Sequence, residues 1–345
     1  MATSFFKPLT SQDRTQSRTL LHENIPITGT LLSGTYATDS VGRGVNIKTF
    51  SHGMFQSTYD YPYASSSANH IMDISAGFSN SSALSSSAIT QVSKKINLYN
   101  QMAQVLVGYD TGSNVRRFDV DGNFSSTSDK HDNVFFLNFS RLLVKDEIKK
   151  GSFVMTVGTG STYALPYAGT DVTISDAAAA NSYKANSPAG EYGMLVSGST
   201  NVGLIYYQAG IAVLTGSVFG ASTPIMPEAS SSFGDVLVSA SVDDFADGIR
   251  RRIKNITFNN TTELNSSIFF CRANHNEFNY SSNPTYLSGS KIRVKDNNSL
   301  NPPRSYVTTV GLYSPDNELL AVAKLSEPLR KDPTNELTLR VRLDY

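Results

Sequence analysis

The chain has 345 residues, and 29 Lys plus Arg balance 29 Asp plus Glu, so the formal net charge is zero. Charged residues make up 17% of it, against roughly 25% in an ordinary domain, and such a chain lacks the basic footprint of a general nucleic-acid binder. No apolar run approaches the roughly 18 residues of a membrane span, and a single cysteine, Cys271, excludes an intrachain disulfide and a multi-cysteine metal site.

The opening residues, MATSFFKPLTSQDRTQS, lack the charged head and apolar stretch of a secretory signal, which points to folding in a reducing cytoplasm. Residues 1–45 read as an extended N-terminal arm. Phe5, Phe6 and Leu9 form an apolar tip around Pro8, a polar stretch follows, and Pro26, Gly29 and Gly34 argue against a long regular element. An apolar tip on a polar tether suits an arm laid on a neighbouring subunit; a terminal strand with a frayed tail is the plainer alternative.

Two segments carry helical period. Val92, Ile96, Tyr99, Ala103 and Leu106 recur at steps of three and four over 91–106. Val242, Phe245, Ile249 and Ile253 do so over 241–253. There Ser241 is placed as N-cap, Asp243 and Asp244 lie in the first turn and Arg250–Arg252 in the last, an order that complements the helix dipole.

Most of the remainder reads as short strands between turns: Val134–Phe139, Phe153–Val157, Val172–Ile174, Tyr192–Val196, Gly203–Tyr207, Ile211–Leu214, Val236–Ser239 and Ile268–Arg272. The Ser-rich run 75–87 reads as a loop, and 176–188 as a short helix or an insertion. Tyr306–Tyr313, Leu319–Leu325 and Leu337–Leu343 are three further strands, the first two joined by the turn Ser314-Pro315-Asp316-Asn317. In the last, Leu337, Leu339, Val341 and Leu343 alternate with polar residues, which places four apolar side chains on one face. The expected fold is mainly β (α+β): an antiparallel, sandwich-like body with two amphipathic helices and the extended arm. The organisation is arm 1–45, body 46–240, and a helix with antiparallel strands over 241–345, with a core shared between the last two left open.

Catalytic signatures are missing. There is no GxxxxGK[ST], no GxGxxG between strand and helix and no GxSxG, and Gly158-Thr159-Gly160-Ser161 reads as a turn. His22, His52, His70, His131 and His275 are scattered, without an i, i+4 pair. Asp119 and Asp121 with Gly122 faintly resemble a calcium loop, but the glycine comes two places early and the bidentate Glu is missing, so a turn is expected, with an adventitious cation as the alternative. No catalytic residue, cofactor or metal is expected.

What remains is contact chemistry. Tyr59, Tyr61 and Tyr63, with Phe55 and Phe78, form one aromatic group; Phe269, Phe270, Phe278, Tyr280 and Tyr286 form another. Tyrosine favours interfaces because it carries large area and one polar handle, although ordinary sheet packing uses it too. Arg250, Arg251 and Arg252 read as a solvated helix end, or as a salt bridge to a partner subunit.

The run from Ser305 to Tyr313, then Asn317–Ser326 and Leu337–Tyr345, resembles the closing strands of virion structural proteins of contractile-tailed bacteriophages, notably marine and cyanobacterial ones. Phe50–Ser57, Ser65–Ile74 and Lys95–Leu106 are similar to that group as well. The resemblance implies a non-enzymatic virion component of the baseplate wedge or tail, assembled in the bacterial cytoplasm. Its partners would be other phage structural proteins or further copies of itself, with no specific nucleic acid and no membrane. A host-recognition fibre or adhesin binding glycans, and a neck or head-completion protein, are the alternatives.

Overall fold

A computed structural model describes residues 6–33, 44–65, 67–87, 89–125, 128–169, 171–220, 223–227, 232–279, 287–288, 291–292 and 304–345. The strands in chain order are β1 (Arg14–Thr28), β2 (Ile47–Lys48), β3 (Gln56–Tyr59), β4 (His70–Phe78), β5 (Asn133–Phe139), β6 (Glu147–Ile148), β7 (Val154–Gly158), β8 (Asp171–Ser175) and β9 (Tyr192–Ser197). They continue with β10 (Thr200–Tyr206), β11 (Ile211–Thr215), β12 (Ile253–Ala273), β13 (Leu287–Ser288), β14 (Lys291–Ile292), β15 (Ser305–Tyr313), β16 (Leu319–Lys331) and β17 (Leu337–Asp344). The helices are α1 (Gly29–Ser33), α2 (Gln91–Leu106), α3 (Arg141–Val144), α4 (Ala179–Ser182), α5 (Phe233–Ser239) and α6 (Val242–Arg252). The mainly-β antiparallel fold expected from the sequence is the fold observed.

The chain forms two compact units: a body, Leu21–Thr262, and a terminal unit, Met1–Leu20 with Glu263–Tyr345. The helix that the sequence reading grouped with the C-terminal strands, α6, belongs to the body.

In the body the strands run β12-β7-β8-β9-β10-β11-β5-β4-β3-β2 across one sheet. Its centre is buried on both faces, which is why Val134–Phe139 is apolar almost throughout instead of alternating. Phe135 and Leu137 join one core with Phe233, Phe245, Ile249, Ile256 and Phe258. Val134 and Phe136 join another with Tyr99, Phe118, Leu204 and Tyr206.

Helix α2 packs against β4 at Gly77, where an added Cβ would lie 2.6 Å from the Lys95 carbonyl and 2.8 Å from the Tyr99 nitrogen. Only glycine permits that approach. Helix α6 has the cap read from the sequence: Ser241 Oγ accepts from the Asp244 N–H at 3.1 Å.

Three expectations are corrected. Val236–Ser239 is not a strand but lies in α5, because Phe233, Val236 and Leu237 share one buried helical face. Ser232 Oγ caps the start of that helix by accepting from Asp235 N, and the buried Lys95 Nζ donates to the carbonyls of Leu237 and Ala240 at its end. The Ser-rich run is not loop throughout, since Ser75–Phe78 completes β4 against β5. Residues 1–45 do contain a long element, the 15-residue β1, which tolerates Pro26 because among the described residues β12 is its one strand neighbour. Strand β17 pairs with β12 from Ser266↔Asp344 to Ala273↔Leu337, while β15 and β16 form their own hairpin.

Candidate interface on the terminal unit

Among its described residues the terminal unit buries little apolar surface, Leu312 and Val341 being the buried apolar side chains. The centre is instead polar: Lys331, fully buried, donates to Asn279 Oδ1 at 2.6 Å, to the Asp332 carbonyl at 2.9 Å and to the His275 carbonyl at 3.3 Å. Asp332 accepts from the hydroxyl and N–H of Thr334, which, with Arg330 beside it, hold its carboxyl below the usual range.

The β15–β16 hairpin turns through Ser314–Asn317, with Asn317 in the left-handed region at φ 64° and its N–H donating to the Ser314 carbonyl. Leu312 faces inward opposite Ala321, so Gly311, Tyr313 and Val322 face outward. One extra residue on β16, Leu320, sits between the pairs Tyr313↔Leu319 and Leu312↔Ala321. Leu319, Leu320 and Val322 are thereby all exposed, Leu320 at 67% and Val322 at 51%.

At Gly311 an added Cβ would lie 2.9 Å from the Tyr313 ring and 3.3 Å from Leu319 Cδ1, so both side chains lean over this residue. The ring of Phe6 meets that of Tyr313 with centroids 4.7 Å apart. Phe6 is held there by its neighbours. Lys7 pairs with Glu277 at 2.5 Å, Asp13 pairs with Arg272 at 3.2 Å, and Asp13 also accepts from the N–H and hydroxyl of Thr10, which lower its pKa. Phe6, Tyr313 and Leu319 meet around Gly311, Val322 lies opposite it and Leu320 adjoins Leu319, so these exposed apolar residues gather in one patch instead of lying scattered.

Of the residues singled out in the sequence, Phe5 lies outside the described residues, as do Tyr280 and Tyr286. Phe6 is in the patch, and Leu9 is exposed on the same unit. On the body, Tyr61 and Tyr63 are exposed at 49% and 45%, Tyr59 is half-buried with its ring 6.3 Å from that of Tyr63, and Lys48 lies over the Tyr63 ring.

The arginine cluster is not a solvated end. Arg250 is buried, donating to Gln56 Oε1, the Leu32 carbonyl and Asp247 Oδ1. Arg252 is fully buried and donates to five backbone carbonyls, those of Gly158, Gly160, Thr162, Pro166 and Pro224. Arg251 alone reaches the surface, over the Tyr163 ring and beside a shallow 330 Å³ cavity lined by Ala164–Ala168. Helical geometry separates the three by about 100° per residue, so like neighbours meet unlike surroundings.

At the Asp119 turn a lysine takes the place a cation would occupy. Asp119 is buried and accepts from Lys130 Nζ and from the Phe124 N–H; burial pushes its carboxyl up, but these bonds keep it below the usual range. Among the described residues, no three His, Cys, Asp or Glu side chains gather into a metal site.

Sequence reasoning missed Tyr313, Leu319, Leu320 and Val322 as surface contacts. The available signal was the adjacent pair Leu319-Leu320, which breaks strand alternation. Comparison with protein-family models, curated proteins and solved structures yields no match.

Proposed function

We propose that this chain is a non-enzymatic structural component of a tailed-bacteriophage particle, in the baseplate or tail, that works by being bound through its terminal unit. The observation that carries the reading is the patch of Phe6, Tyr313, Leu319, Leu320 and Val322 on a unit whose described residues include just two buried apolar side chains. Elements of this kind gain their stability by burying such a face against a neighbour. The resemblance of the 305–345 stretch to virion proteins supports the particle context, with assembly in the host cytoplasm.

A contact governed by buried apolar area resists moderate salt better than one held by exposed charges. The test is a reconstruction of the phage particle together with salt washes. Patch residues covered by neighbouring subunits, and retention through moderate salt, are expected; a solvent-facing patch or release by salt alone overturns the reading.

A second reading rests on Tyr61 and Tyr63, whose exposed rings on the body suit sugar stacking in a host-recognition module. Binding of the isolated protein to host cells, abolished by Tyr61→Ala with Tyr63→Ala, would favour it.

A further inference from the structure

We infer that a second copy of this chain docks on the β16 part of the patch, Leu320 and Val322, with the two β16 strands laid antiparallel about Ala321. This rests on the docking role proposed above and names the partner. Strand β16 has β15 as its one strand neighbour among the described residues, so none of these pairs with the other edge, which can receive a further chain.

The sequence along that edge is self-complementary. It reads Glu318-Leu319-Leu320-Ala321-Val322-Ala323-Lys324, with Glu318 and Lys324 each three residues from Ala321. A two-fold axis at Ala321 sets Glu318 of each copy against Lys324 of the other and Leu320 against Val322, each pair occurring twice. Both charged residues are exposed, and among the described residues neither makes an ion pair within its own chain.

The two kinds of contact divide the work. Leu320 and Val322 supply apolar area at the centre, and the charged pairs flank it and set the antiparallel direction. A parallel arrangement would put Glu318 beside Glu318 and Lys324 beside Lys324, and like charges in contact oppose it. The extra residue at Leu320 interrupts the regular ladder, so the contact is made by side chains and does not require continuous main-chain pairing.

The test is analytical ultracentrifugation of the full chain up to about 100 μM, a range that captures weak dimers. The variants are Glu318→Lys, Lys324→Glu and the double exchange, each confirmed as folded by circular dichroism. A concentration-dependent dimer is expected in the parent chain, with dissociation at least tenfold weaker-binding in each single variant and dimerisation restored in the double exchange. A monomeric parent chain, single variants that dimerise unchanged, or a double exchange that fails to restore the dimer each overturns the pairing. A monomer that still needs Leu320 and Val322 to enter phage particles overturns the pairing alone and leaves the docking role standing. A charge-dependent dimer absent from any particle supports the pairing and removes the particle reading.

Discussion

The Tyr313 ring leans over Gly311, two residues back on the same strand, in space that a Cβ at that position would enter at 2.9 Å. The small residue thus sets where the ring rests, and the ring in turn receives Phe6. Gly311→Val therefore displaces Tyr313 and opens its contact with Phe6, while the hairpin ladder is retained because valine suits a strand. Proton NMR should show altered Phe6 and Tyr313 ring shifts, with a stability change within about 1 kcal/mol.

Leu320→Asp combined with Val322→Asp should weaken binding of an apolar dye at the terminal unit without lowering the melting temperature by more than a few degrees. Both side chains are largely exposed, so the folded chain loses little burial on their removal. Dye fluorescence beside a thermal melt reads the two effects separately.

Arg252→Met should destabilise the body by about 3 kcal/mol or more, because it leaves carbonyls from two loops without their donor in the interior. Arg252→Lys should recover little, since one ammonium cannot reach carbonyls arranged around a planar fork. Urea unfolding midpoints of the two variants test this.

His131 is buried, its Nε2 has no hydrogen-bond partner among the described residues, and burial lowers its pKa from 6.5 to about 4 against the pull of Asp119 and Asp132. Between those values the unfolded chain binds the proton and the folded chain does not, so stability falls as pH drops from 6.5 towards 4. The loss is bounded at about 3 kcal/mol. His131→Phe should flatten the dependence of the urea midpoint over that interval, and an unchanged slope would assign the acid sensitivity elsewhere.

Removing residues 335–345 deletes β17 and with it the pairing of Ser266–Ala273, exposing a strand edge that includes Ile268, Phe269 and Phe270. Aggregation on expression is the expected outcome. A soluble, cooperatively unfolding product, read by calorimetry, would contradict it.

The periodic helices were legible because their signals are local: α2 follows its apolar stripe, and α6 follows its cap and charge order. What escaped depends on distant partners. Ser75–Phe78 becomes a strand because β5 supplies its ladder and α2 its cover, neither of which is visible in a serine-rich run. Val236–Ser239 is helical because its apolar residues find a buried face in the body, and Lys95, far away in sequence, donates to the carbonyls of Leu237 and Ala240 at its end. At the candidate site Phe6 was found from its polar tether, whereas Tyr313, Leu320 and Val322 read simply as strand. Alternation reveals which face a residue takes, but not whether anything lies on that face.

The guanidinium of Arg252 fastens residues 158–166 at several separated points and Pro224 as well. A protease that cut beside the exposed Leu165 would leave fragments gripped from within on both sides of the break. The nicked molecule should migrate whole under native conditions and come apart only once the interior is opened by denaturant.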